Sequence, residues 1–299
     1  AEVEFRAQDG SISKATLHSA ENLPPVSNEA SLLETLNRFR GLFKREPLSP
    51  LQQEYLSWHY RLGHLSHSQM QELAKQGKIP KRLVECHHVK CPVCIFAKQT
   101  KRAWRTKGKR KSIRRKEHNV PGAYTSVDQM ESSARHKGAQ VFIDHYSNWT
   151  HVHLMQDFTL QSTLEAKLAY ERAALTYGVK VQGYRADNGR FADLGWKDAC
   201  ENEKQHFTYC GVGQHSQNGI AERKIRTLSE GARASLLHAT QRWLEAVFAN
   251  LWPYALTHEC LIHNKVRVQL ERESKTAEQL FSGSDREVDL TDLHPFGCP

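Results

Sequence analysis

Asp128, Asp187 and Glu222 are the residues whose type and spacing speak most directly of chemistry. Asp187-Asn188-Gly189 precedes Gln217-Asn218-Gly219-Ile220-Ala221-Glu222, so Glu222 follows Asp187 by 35 positions, and Asp128 lies upstream of both. Two divalent ions about 3.5–4 Å apart can activate an attacking oxygen and stabilise a leaving one in phosphoryl transfer, and they need little from a protein beyond a few converging carboxylates. The reaction class expected is transfer at a phosphodiester of a polynucleotide.

A second constellation is His59, His64, Cys91 and Cys94. Two imidazoles and two thiolates supply the donors of a closed tetrahedral zinc site, and the two-residue gap in Cys91-Pro92-Val93-Cys94 lets both sulfurs reach one ion. His59 and His64 are five positions apart, which an unbroken helix would turn through about 140°, so Gly63 is expected to break the helix between them. Cys86, His87 and His88 stand close by and stay open as substitute ligands. Residues 51–98 are too few for a convincing core of their own, and a bound metal would supply much of their stability.

These residues must be held by elements, and the order of the elements is legible. Strands are expected over 124–130, 139–146 and 150–155, the last with Val152 and Leu154 on one face. A helix over 161–177, a strand over 179–186, a helix over 193–203, a strand over 206–210 and a long helix from Gly219 to about His238 complete the order βββαβαβα. That order fits an α/β ribonuclease H-like fold, a mixed five-stranded sheet with flanking helices. In it Asp128 lies on the first strand, Asp187 at the end of the fourth and Glu222 in the first turn of the last helix. On that helix Ile225, Leu228, Ala232 and Leu236 form the apolar stripe, with Glu222, Arg226 and Arg233 on an adjoining one.

The 299 residues carry a net charge of +9, concentrated between Lys98 and His118, where eleven Lys or Arg stand against the single acid Glu117. Such a tract, which includes Lys107, Lys109, Arg110, Lys111, Arg114 and Arg115, attracts a phosphate backbone through counterion release and also reads as a nuclear localisation signal. Its bland alternative is a solvated linker. No stretch approaches the roughly 20 apolar residues of a membrane span. Seven cysteines, odd in number and mostly single, point to a reducing compartment rather than a disulfide framework. The first fifty residues hold Pro24-Pro25, polar clusters and helical spacing from Leu32 to Leu42, with no Asp-Thr-Gly or Asp-Ser-Gly triplet of an aspartic protease. The chain reads as a piece of a longer product.

Trp58-His59 through His64, Cys91 and Cys94, Val127-Asp128, the run Phe142 to Ser147, Arg185 to Gly189, and Gln217 to Arg223 together resemble a copia-type LTR-retrotransposon integrase, part of a Gag-Pol-like polyprotein. The resemblance covers residues 51–299. It implies zinc at His59, His64, Cys91 and Cys94 and two magnesium or manganese ions at Asp128, Asp187 and Glu222. Asn188, Gln217 and Asn218 are expected to contact DNA or to support the metal ligands, and Arg223 and Arg226 to contact DNA. The activity implied is 3′-end processing and strand transfer of element cDNA into host DNA, by a homo-oligomer with no membrane partner, made in the cytoplasm beside neighbouring polyprotein segments and working in the nucleus. Two departures stand out: 34 residues rather than 35 separate Asp187 from Glu222, and Val212-Gly213-Gln214-His215-Ser216 lacks the usual proline. A one-residue loop deletion is readily accommodated. Asp144 is a rival to Asp128 as first metal ligand, its motif reading as structural.

The division expected is an unassigned segment 1–50, a His-His-Cys-Cys zinc-binding domain 51–98, a basic linker 99–120, a catalytic core 121–270, and the start of a post-core region 271–299. Two rivals remain: a decayed or domesticated copy that only binds DNA, and a ribonuclease H-like nuclease, which has no need of the zinc domain.

Overall fold

The computed structural model describes residues 2–6, 12–16, 48–98, 120–132, 137–187, 189–210, 218–243 and 249–298. Contacts divide the chain into two compact units, Ala1–Arg45 with Gln99–Ile113, and Glu46–Lys98 with Arg114–Pro299. In the first, β1 (Glu2–Arg6) and β2 (Ile12–Thr16) form an antiparallel pair. The helical spacing of Leu32 to Leu42 and the basic tract beyond Lys98 lie outside the described residues.

The second unit begins with α1 (Pro50–Arg61), α2 (His67–Lys75) and α3 (Pro92–Ala97). Ser49 and Gln52 close a reciprocal capping box over the start of α1, with Pro50 in the first turn where its missing N–H costs nothing. Gly63 (φ 62°) and His64 (φ 59°) are both left-handed, so the chain leaves the helix where the sequence predicts a break. The segment does not depend on metal alone for a core: Leu56, Leu62, Leu65, Met70 and Leu73 share one apolar cluster with Ile262, Val266, Val268 and Leu290 from the far end of the chain.

The sheet is built from β3 (Thr125–Glu131), β4 (Gly138–Asp144), β5 (Thr150–Met155), β6 (Gly183–Ala186) and β7 (His206–Tyr209), in the order β5-β4-β3-β6-β7. The first three form an antiparallel meander, and β6 and β7 join it in parallel. Helices α4 (Leu160–Leu175) and α5 (Leu194–Asn202) cover one face, where Tyr170 and Trp196 meet Val127, Phe142 and Tyr184. On the other face α6 (Gly219–Arg242) and α7 (Trp252–Lys265) bring Leu228, Ala232 and Leu256 against Val141 and Ile143. This is the ribonuclease H-like arrangement, a mixed sheet between helices. A short pair, β8 (Val268–Gln269) and β9 (Lys275–Thr276), and α8 (Ala277–Ser282) follow.

The strand expected over 179–186 is shorter than its hydrophobic pattern. Val179 N–H donates to Ala174 at the end of α4, and Gln182 N–H to Gly122, so ladder pairing begins only at Gly183.

Candidate metal centre and carboxylate face

Gly63 turns His64 back toward α1, and the turn into α3 brings Cys91 and Cys94 to the same spot. The four ligand atoms all lie within 4.8 Å of one another. His59 Nε2 is 3.2 Å from Cys94 Sγ, and His64 Nδ1 is 3.4 Å from Cys94 Sγ and 3.7 Å from Cys91 Sγ. Zinc–nitrogen bonds of about 2.0–2.1 Å and zinc–sulfur bonds of about 2.3 Å make the edges of a tetrahedron roughly 3.6 Å long, so the quartet fits a zinc site. His59 Nδ1 faces the Leu65 carbonyl at 2.9 Å, the outer contact that fixes a tautomer with Nε2 turned toward the metal position. The Cys91 thiol is held well below its usual range, chiefly by the hydrogen bond from Cys94 and further by His59 and His64.

Of the rival ligands, Cys86 Sγ donates to the His87 carbonyl, and the His88 ring lies 5.3 Å from that of His67, so both are engaged elsewhere. Tyr60 and His238 roof the site, their rings 4.1 Å apart and His238 5.2 Å from His64. Sequence reasoning missed both, since nothing in α6 marks His238 as a neighbour of a residue 174 positions earlier.

The carboxylates are governed by register. Strands β3 and β6 pair Thr125 with Tyr184 and Ser126 with Arg185, where the ladder ends; carried two residues further, that register would set Asp128 level with Asp187. The β6–β7 register, Ala186 with Tyr209, sets Cys210 level with Asp187 in turn. Cys210 senses the result. Its thiol is raised first by burial, while Arg185 lowers it and the charges of Asp187 and Glu222 raise it. Asn218, directly before α6, is buried and donates from Nδ2 to the Val127 carbonyl at 3.0 Å, which moors the start of Glu222's helix beside Asp128. Asn218 is therefore buried in the fold and not displayed at the surface.

Glu222 itself is exposed, as are Arg223 and Arg226. The three acids share one end of the sheet but do not close into a cluster: among the described residues only the His-Cys quartet brings three or more ligand atoms so close together. Mutual repulsion of like charges opposes a tighter approach. Asn188, Gln217 and Lys107, Lys109, Arg110, Lys111, Arg114 and Arg115 lie outside the described residues.

Asp144, the rival first ligand, is fully buried. It accepts hydrogen bonds from Gly122 N–H at 2.9 Å and from the N–H and hydroxyl of Ser147, both at 2.7 Å. Burial raises its carboxyl while these donors lower it. Its oxygens are committed to the turn after β4 and to the chain just before β3. One further residue escaped sequence reasoning. Arg190, three positions after Asp187, donates to Gln129 at 3.1 Å and Glu131 at 2.7 Å and lies over the Phe158 ring at 4.2 Å. It ties the Asp187 loop to the strand that carries Asp128.

Residues 49–99 match the GAG-pre-integrase domain family. The chain is 29% identical over 251 residues to the Retrovirus-related Pol polyprotein from transposon TNT 1-94 of Nicotiana tabacum, and 24% identical over 245 residues to that from transposon RE1 of Arabidopsis thaliana. These matches support the resemblance to a copia-type retrotransposon integrase fragment. Each alignment covers 81% of the chain but only 17% and 16% of these relatives, so the chain spans about a sixth of their length. Among solved structures it is similar to a chain of the simian T-cell lymphotropic virus intasome in complex with PP2A regulatory subunit B56 gamma, at 17% identity and a TM-score of 0.45, over 56% of each chain. It is also similar to the HTLV-2 integrase catalytic core domain in complex with magnesium, at 17% identity and a TM-score of 0.41, over 54% of this chain and 97% of that one. No described helix is long and apolar enough to cross a membrane.

Proposed function

We propose that the chain is the zinc-binding and catalytic part of an integrase that processes the 3′ ends of element cDNA and joins them to host DNA. The observation that supports this reading is the parallel β3–β6 register, which carried two residues past its ladder would bring Asp128 level with Asp187, together with the Asn218–Val127 bond that ties the start of Glu222's helix to β3. In this reading Asp128, Asp187 and Glu222 hold two magnesium or manganese ions, and His59, His64, Cys91 and Cys94 hold one zinc. The donor sets agree with those choices: hard carboxylate oxygens suit magnesium or manganese, and imidazole with thiolate suits zinc. When bound, the divalent pair supplies Lewis acidity to both the attacking and the leaving oxygen.

The chain's own residues do the rest. Arg223 and Arg226, exposed on the helix of Glu222, meet DNA phosphates, and Arg190 fixes the loop of Asp187. The attacking group is water in 3′-end processing and the 3′-hydroxyl of the cDNA in strand transfer, so one set of carboxylates serves both. Two DNA ends call for a homo-oligomer, and the reaction belongs in the nucleus after synthesis in the cytoplasm.

The test is disintegration, the reverse of strand transfer, on a branched oligonucleotide with magnesium or manganese. Activity in the wild type that falls at least about a thousandfold in Asp187→Asn, in line with loss of an essential catalytic group, is the expected result. Metal-independent DNA binding with no chemistry from folded, zinc-loaded protein would favour a decayed copy. Hydrolysis of the RNA strand of a hybrid without joining would favour a nuclease.

A further inference from the structure

Glu259 is a fully buried carboxylate in the middle of α7, and three separate elements close on it. Arg267, just past the helix, forms its ion pair. On one side lies α6: a Cβ added at Gly231 would come within 2.2 Å of the Glu259 carboxyl carbon and 2.5 Å of its Oε1. On the other lies the ligand-bearing turn: a Cβ at Gly63, already left-handed at φ 62°, would meet Glu259 Oε2 at 3.1 Å and Ile262 at 3.1 Å. A glycine inside a helix costs about 0.5–1 kcal/mol relative to alanine, and burying a charge costs more than its pairing commonly returns. Neither feature stabilises α6 or α7 on its own account. Together they form a socket and the side chain that fills it, and the socket spans the zinc segment and the helix of Glu222. The remaining contacts run along the same seam: Arg233 of α6 donates to the Ala97 carbonyl of α3, and Ala234 is buried among Cys91, Val93 and Ala97.

We infer that Glu259 is a positioning residue that couples the zinc module to the catalytic helix, seated on Gly231 and Gly63 so that ordering of one is felt by the other. This rests on the zinc and carboxylate reading above. Loss of the metal would loosen the turn at Gly63, withdraw one wall of the socket and free the middle of α6, well away from any ligand residue of that helix.

The experiment uses the full chain. Zinc content is measured first, then zinc release to a chromogenic chelator, and amide hydrogen exchange over residues 225–240 and over α4 as an internal reference. Gly231→Ala is expected to speed zinc release by about tenfold or more, the scale of outer-shell changes at metal sites, although it lies far in sequence from every ligand. Adding the shorter side chain in Gly231→Ala/Glu259→Asp is expected to restore slow release. In the wild type, stripping zinc is expected to raise exchange at 225–240 and leave α4 unchanged. This last arm decides the matter if Gly231→Ala fails to fold. Unchanged zinc release in a folded Gly231→Ala protein, or exchange at 225–240 indifferent to zinc, overturns the coupling. A wild type that binds no zinc overturns the zinc reading itself. The coupling is then judged separately, by whether exchange over 59–65 and 225–240 rises together in Gly231→Ala.

Discussion

Asp128 lies midway along β3 and Asp144 ends β4, its antiparallel neighbour, yet their surroundings assign them opposite work. Asp144 has three donors aimed at it and no exposure, so Asp144→Asn puts an amide N–H against one of them. A loss of about 1.5–3 kcal/mol is expected, the worth of hydrogen bonds to a charged group, read as a lower denaturation midpoint. Asp128→Asn, only half-buried, is expected to shift stability by no more than about 0.5 kcal/mol and to abolish disintegration. The opposite pattern would make Asp144 the metal ligand. At this scale the sequence was informative wherever chemistry is written in residue type. His59, His64, Cys91 and Cys94 were all read from their types and spacing and do converge. Tyr60, His238 and Arg190 were not, because an aromatic roof and a loop tie use common residues whose meaning lies wholly in what they touch.

Among the elements, the order of strands and helices was readable because β4 is an apolar run buried from end to end and α6 carries an apolar stripe. The helix α7 was not, and its residues explain why: Glu259, His263 and Asn264 sit on buried surfaces, and its outward face carries Tyr254 and Leu261. A helix buried on several sides shows no clean apolar stripe. Element-scale reasoning also yields a test of the Arg190 tie. The pair with Glu131 is exposed, so Arg190→Ala should cost under about 1 kcal/mol of stability. It should nonetheless lower disintegration by about tenfold to a hundredfold, because small misplacements of a catalytic group are expensive. Arg190→Lys keeps the charge but loses the fork that spans Gln129 and Glu131, and should recover little. Full activity in Arg190→Ala would show that the Asp187 loop holds itself.

For the whole second unit, the sequence suggested a boundary near residue 98, whereas the fold runs the zinc segment and the core into one compact body that shares apolar clusters. A boundary drawn from motifs marks where chemistry changes, and packing need not follow it. The same body carries several half-buried histidines. Burial lowers His151 to about 4, and it also lowers His258 and His263. The unfolded chain takes up protons on these groups below about pH 6.5 while the folded chain does not, so stability falls as pH drops from there toward 4. Glu259 acts in the other direction. Burial raises it to about 7, so between about 4.5 and 7 the folded state holds the extra proton and stability gains on acidification. Melting temperature is thus expected to fall from pH 6.5 to 4, and to fall more steeply in Glu259→Gln. A flat profile in the wild type would show these histidines to be solvated.

The register that would set Asp128 level with Asp187 also sets which lengths the chain can tolerate. Side chains alternate along a strand, so one residue inserted between Gly183 and Asp187 would send that carboxylate to the face occupied by Tyr184 and Ala186 and bring Ala186 to its station. The stretch before Asn218 reads as a loop in the sequence and carries no such parity, so a one-residue change of length there is expected to be tolerated. Parity should therefore be legible in length variants: single-residue insertions inside β3 or β6 are expected to abolish disintegration, while those ahead of α6 are expected to leave it intact.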